Sequence, residues 1–495
     1  MKKKLLFLVA AFALFVPSVL ATTKEVATDE ELIKAFSEAA TGDTIKLTAD
    51  IENHKGDGNS LKVKDGKELT LDLNGHNFTV DSSEATNRSF IVYGGKLTIT
   101  GKGTIKHPTH NAVSVWSDSD KATPNFSVLN VEKDVKLIGT TGIAVFHDAG
   151  KNIKKGYNSV VNFSGTIEST KDNGITISGN IINKDDTTTQ NFPVVNIKKG
   201  AKITSTGEEG IGIYAAGAGV WNIEDGVTVT GTATAIGIKS GTINIKGGNF
   251  TANGKYVGNP ELYSDGLNPS GSAIQIETNS IYYGHINLNI EDGIFTSENG
   301  NVILEYGSDT TSAVEGLKIT YGEFNAAEGK EILAISKALK TAQANNVISI
   351  EGGLFNNDVD DEYLGTNNIV VTIAASITED GKTVTENMYT VVVEKGDVFD
   401  EDTEKELTSL LGDIGEGYKL AGYYSDKELK NKFDFSKGLN ENTTIYMSFV
   451  KETIPQGEKN PKTSDMNLAL ILTTLGLASV GAVLVSRKKL AKANR

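Results

Sequence analysis

From residue 130 to residue 355 the chain repeats two short patterns. One reads Asn130-Val-Glu-Lys-Asp-Val-Lys-Leu and returns from Asn196, Asn222, Asn244, Asn289 and Ser349, for example as Asn222-Ile-Glu-Asp-Gly-Val-Thr-Val and Ser349-Ile-Glu-Gly-Gly-Leu-Phe. The other reads Gly142-Ile-Ala-Val and returns as Gly174-Ile-Thr-Ile, Gly210-Ile-Gly-Ile, Ala235-Ile-Gly-Ile and Ala273-Ile-Gln-Ile. Apolar residues alternate in both, which is the period of a β-strand. Two alternating strand types at a loose period of roughly 20–35 residues predict a solenoid. Such strands are too short to be stable alone, but stacked rungs pair edge to edge about 4.8 Å apart and bury a continuous core. Glycines and the recurring asparagines are expected at the corners, where the chain needs unusual dihedrals. Irregular spacing, as between Asn244 and Asn289, predicts loops inserted between rungs. The expectation is an all-β chain built on a right-handed parallel β-helix.

A solenoid needs a capped end. Thr28 with Glu31 forms a capping-box sequence, and Leu32, Phe36 and Ala39 fall on one helical face, so a short N-terminal capping helix is expected, with Gly42 closing it. The chain contains no cysteine and carries a formal net charge of −15. Its core must therefore hold without disulfides, and its surface should repel nucleic acid and anionic membranes.

The two ends carry addresses. Met-Lys-Lys-Lys, an apolar run and Pro17-Ser-Val-Leu-Ala21 make residues 1–21 a secretory signal peptide, with cleavage between Ala21 and Thr22. Near the other end the run Leu468–Val485 is free of charge. At about 1.5 Å per residue it spans a bilayer core, so a transmembrane helix is expected over 467–486. Arg487, Lys488 and Lys489 open a basic tail, 487–495, which should remain cytoplasmic. Asn460-Pro461-Lys462-Thr463-Ser464 stands just before this run. The three parts together resemble the cell-wall sorting signal of Gram-positive surface proteins. The usual pentapeptide is LPxTG, and this one is closer to the NPxT-S/G variants. The resemblance implies a sortase that attacks the Thr463 carbonyl and passes it to peptidoglycan. The plain alternative is a single-pass membrane protein with a polar juxtamembrane loop.

Two further resemblances concern the middle. Leu71-Asp-Leu-Asn-Gly-His-Asn-Phe-Thr-Val and Gly94-Gly-Lys-Leu-Thr-Ile-Thr-Gly-Lys-Gly-Thr-Ile resemble the opening rungs of β-helix surface proteins of the pectate-lyase-like superfamily. Residues 22–375 are assigned to this unit. Gly417-Tyr-Lys-Leu-Ala-Gly-Tyr-Tyr with Phe433-Asp-Phe and Thr443-Thr-Ile-Tyr is similar to the internalin-type B-repeat, a β-grasp-like module, here over 376–451. Tyr423 and Phe449 stand where that family usually has Trp, and a helix is expected around Leu407, Leu410 and Leu411. Residues 452–459 form a short linker to the sorting signal at 460–495.

Many enzymes of the superfamily cleave acidic polysaccharides, and the resemblance would require an arginine base with calcium-holding carboxylates. The arginines are Arg88, Arg487 and Arg495, two of them in the tail. Asp185-Asp186 reads as a loop tip, and Asp358, Asp360 and Asp361 as a solvated boundary. His76 and the His107/His110 pair show no ligand spacing. Glu224-Asp225 and Glu291-Asp292 precede corner glycines and read as turn residues, with a structural calcium ion left open. No catalytic residue, cofactor or metal ligand is assigned. The binding candidates are tyrosines in inserted loops, Tyr256, Tyr263, Tyr282 and Tyr283, because sugar rings have apolar faces that a tyrosine can cover. The alternative is that they hold their own loops onto the rungs. Trp116 and Trp221 are expected in the core or on its flank. The expected function is a cell-wall-anchored, adhesin-like scaffold for glycan or for host or neighbour-cell proteins. The alternative is a wall-attached polysaccharide lyase or glycoside hydrolase on the same fold.

Overall fold

A computed structural model describes residues 21–55, 61–81, 89–116, 126–147, 159–179, 192–258, 260–262, 266–307, 310–379, 381–399 and 418–451. It is an all-β structure of long, mostly parallel stacked sheets, the arrangement of a β-solenoid. Successive strands are dealt in turn to three sheets, of 12, 10 and 15 strands among the described residues. One turn illustrates the rule. Val194–Ile197 lies in the twelve-stranded sheet, Lys202–Ser205 in the fifteen-stranded sheet and Ile211–Ala215 in the ten-stranded sheet. Val220–Ile223 then returns to the first, pairing parallel with Val194–Ile197.

The expectation of two strands per repeat is therefore corrected to three. The Asn-led pattern is two strands joined at a tight corner, and Gly226 at φ +79° and Gly293 at φ +134° are the residues that turn it. Period-two patterning runs through such a corner without a visible break, so the sequence reads as one strand. The glycines behave as expected at these corners, but the leading asparagines do not. They lie inside strands on the outer face of the twelve-stranded sheet. Asn130 donates to Thr98 Oγ1 at 3.1 Å, and Asn162, Asn196, Asn222, Asn244 and Asn289 each donate to the preceding asparagine at 2.9–3.1 Å. Parallel in-register stacking brings identical amides one rung apart, so each can donate to one neighbour and accept from the other.

The inner faces stack in columns. Phe250, Phe295, Phe324 and Phe355 occupy one register position, with ring centroids 4.8–5.0 Å apart. Trp221 is fully buried between Val195 and Ile243. Each buried side chain of this size stabilises the fold by about 1.5–3 kcal/mol.

Both ends of the solenoid are covered. The helix Asp29–Glu38 forms with the Thr28/Glu31 capping box present, Leu32 and Phe36 are buried, and the Phe36 ring packs on Phe90. Gly42 does not close it. The helix ends at Ala39, and Gly42 instead donates to the carbonyl of Glu68, which opens the strand Glu68–Asp72 one rung on. At the far end the helix Lys337–Ala342 buries Leu339, and the Gln343 side chain bonds both the N–H and the carbonyl of Ile348.

A mixed-sheet module follows. Asn368–Glu379 and Lys382–Glu394 form a hairpin, Thr443–Lys451 pairs parallel with the first of these, and Tyr418–Tyr424 pairs antiparallel with the last. The strand Asn368–Glu379 runs across the expected boundary at 375/376. The hairpin also pairs with Gly353–Phe355, so the fifteen-stranded sheet passes from solenoid into module without interruption. Asn442 adds a tie by donating to both carboxylate oxygens of Asp361. Tyr423 and Phe449 are both buried in the module core.

No helix among the described residues is long and apolar enough to cross a membrane. The expected transmembrane helix at 467–486, the signal peptide apart from Ala21, the motif Asn460–Ser464, the linker and the residues around Leu407 lie outside the described residues.

Candidate functional site

The outer face of the ten-stranded sheet is where the strands end in inserted loops, and it carries the chain's most distinctive surface chemistry. The strands Phe90–Tyr93, Val113–Trp116 and Ile143–His147 are neighbours in register, which sets Tyr93, Trp116 and Phe146 in one row. All three are half-buried. Trp116 and Phe146 stack with centroids 4.2 Å apart, and the Lys62 ammonium lies 4.3 Å from the centre of the Tyr93 ring. Cation–π and stacked contacts of this kind fix ring orientation. The sequence marks each of these positions but not the row they form. Each residue lies at or next to the end of a strand of the second pattern, as Ile-Val-Tyr, Val-Ser-Val-Trp and Ile-Ala-Val-Phe. The period-two rule says such a position faces out, but not that three of them adjoin.

Further along the same face, Lys239 and Glu277 form an ion pair at 2.8 Å with both side chains fully buried. Glu277 also accepts from the Tyr306 hydroxyl at 2.8 Å and from Asn279 Nδ2 at 3.0 Å. Gln275 donates to the Tyr306 oxygen and to the Asn268 carbonyl and accepts from Ser270. Burial, and then the Glu277 charge, raise the Tyr306 hydroxyl above its ordinary pKa, so it stays a donor. An ammonium, a carboxylate and a phenol thus meet across adjacent rungs, but within the packed structure and out of reach of solvent.

The loop tyrosines do not converge. Tyr282 lies over this buried pair, its ring centre 4.4 Å from Lys239 Nζ, and packs against the cluster containing Tyr214, Ala216 and Leu267. Tyr283 packs on Phe192 and His285. Tyr256 has the Lys330 ammonium 3.8 Å from its ring centre and Asn301 Nδ2 at 3.5 Å from its hydroxyl. Tyr263 lies outside the described residues. The insert carrying Tyr256 does frame an open pocket of about 420 Å³, lined by Lys255, Val257, Pro260, Glu261, Asn268 and Pro269 with Glu208 and Thr232.

The acid pairs serve turns. Glu224 pairs with Lys198 at 3.0 Å and accepts from the Lys199 N–H, which holds its carboxyl below the usual range, while Asp225 and Asp292 accept from Gly226 and Gly293. His107 and His110 stand 5.7 Å apart ring to ring, and His107 is fully buried. Among the described residues no group of three His, Asp or Glu side chains is disposed to hold a metal ion. Arg88 and Asp185-Asp186 lie outside them. Trp221 is core and Trp116 is flank.

Comparison with known protein families, with curated proteins and with solved structures returns no match.

Proposed function

We propose that this chain is an exported surface protein whose right-handed parallel β-helix, of pectate-lyase-like type, binds glycan along the outer face of its ten-stranded sheet. The observation that carries the reading is the row Tyr93, Trp116 and Phe146. Three half-buried aromatics at one register position line up ring edges on the outer face, against which the apolar face of a sugar can pack. Residues 1–21 export the chain, and sortase joins it through Thr463 of Asn460–Ser464 to peptidoglycan, with the segment 467–486 holding the precursor in the membrane. The module over 368–451, of B-repeat type, sets the solenoid off from that anchor.

The test is a polysaccharide and glycan-array screen on the secreted protein, read for retention and for release of reducing or unsaturated ends. Retention without release, weakened about fivefold in Trp116→Ala, is the expected result, since one aromatic–ring contact contributes on the order of 1 kcal/mol. Release of products would establish the lyase or hydrolase alternative. Thr463→Ala should abolish covalent recovery with the wall in a host that carries a sortase.

A further inference from the structure

The first strand of the twelve-stranded sheet, Thr23–Val26, pairs with Thr44–Leu47 and is anchored at its start by one carboxylate. Asp43 is only 2% exposed. Its Oδ1 accepts from the Thr22 N–H at 2.8 Å and from the Thr22 hydroxyl at 2.9 Å, and its Oδ2 accepts from the Ala40 N–H at 2.9 Å. The Thr22 carbonyl in turn accepts from Thr44. Every donor to Asp43 is neutral, and Lys24 is the weakest of the influences acting on its charge. A buried carboxylate is ordinarily matched by a cation as well as by hydrogen bonds.

We infer that Asp43 is the acceptor for the α-ammonium group that removal of the leader creates at Thr22, so that processing itself completes the first edge of the solenoid. The inference rests on reading residues 1–21 as a cleaved leader. Ala21 and Thr22 are both exposed, so the bond between them can be reached. Hydrolysis adds the water's hydroxyl to the Ala21 carbonyl carbon and its proton to the Thr22 nitrogen, and a further proton from solvent makes the ammonium. The nitrogen already stands at hydrogen-bond distance from Asp43, so the neutral bond becomes a charge-assisted one without movement of the backbone. Thr22 is exposed, which keeps the desolvation opposing the charge small.

An α-ammonium held by a carboxylate has its pKa raised above the ordinary value of about 7.7–8.0. Its contribution to stability is therefore fully present below that range and is lost as pH rises through the folded value. A cut one residue later would discard both Thr22 donors, so the acceptor also defines where processing should fall.

The test uses protein secreted by a processing host. Mass spectrometry of its N-terminal peptide should find Thr22 first. A retained leader or another start would overturn the inference, and a retained leader would overturn the export reading with it. In protein that does start at Thr22, acetylation of the α-amine at pH 8 should run about fivefold slower in the folded chain than in urea, as a rise of about one pKa unit implies at that pH. A chain that begins one residue earlier, at Ala21, should melt at lower temperature than the Thr22 form, with the difference gone in Asp43→Asn. If Asp43→Asn does not fold, the comparison of the two starts, both retaining Asp43, still decides. Equal acetylation rates and equal melting would overturn the acceptor role while leaving export intact.

Discussion

Replacing Lys239 with Met is the sharpest test of the sealed region on the ten-stranded sheet. Lys239 and Glu277 are both fully buried and 2.8 Å apart. Met fills nearly the same volume, so the change removes one charge and leaves Glu277 with two neutral donors, Tyr306 and Asn279. Stranding a buried charge in this way costs about 3–5 kcal/mol. Replacing a whole buried pair with neutral groups costs little, so Glu277→Gln in the Lys239→Met background should recover most of the loss, although each change alone is harmful. A solenoid need not unfold in one step. Native-state hydrogen exchange over Ser272–Thr278, with Lys96–Thr100 as a distant reference, is therefore the suitable assay. A loss below about 1 kcal/mol with no recovery in the double variant would mean that the pair is solvated, as surface ion pairs are, and would refute the sealed arrangement.

The asparagine ladder makes a graded prediction. Asn196→Ala breaks two amide bonds and Asn289→Ala one, so at about 0.5–1.5 kcal/mol each the first should cost about twice the second, read by chemical denaturation. Equal costs would mean that the amides act singly with solvent. Glu323 concerns the seam between solenoid and module. It is buried, one carboxylate oxygen has no hydrogen-bond partner, and burial raises its pKa. Its ionisation therefore opposes folding above the unfolded pKa of about 4.3, and stability should fall as pH rises from there through the folded value. Glu323→Gln should flatten that fall and raise the melting temperature at pH 7, and a variant melting lower than the parent would contradict this.

The repeat, the capping box and the corner glycines were all readable in the sequence, because each is a local pattern whose physics is settled within a few residues. Period two assigns inner and outer faces, and Thr28 with Glu31 sets a helix start wherever the helix packs. The number of strands per turn was not readable, since Asn222-Ile-Glu-Asp-Gly-Val-Thr-Val keeps its alternation through a corner. Nor was the role of the asparagines, which look like turn formers one at a time and become a ladder only when rungs stack in register. The loop tyrosines stand out because their inserts break the pattern, whereas Trp116 sits within a strand pattern that marks it as core or flank and says nothing of its neighbours. Whether Tyr93, Trp116 and Phe146 share a row, or Lys239 meets Glu277, depends on lateral register between rungs separated by inserts of unequal length. That register is fixed by backbone pairing and side-chain stacking between turns, so residues far apart in the chain become neighbours only in the tertiary structure.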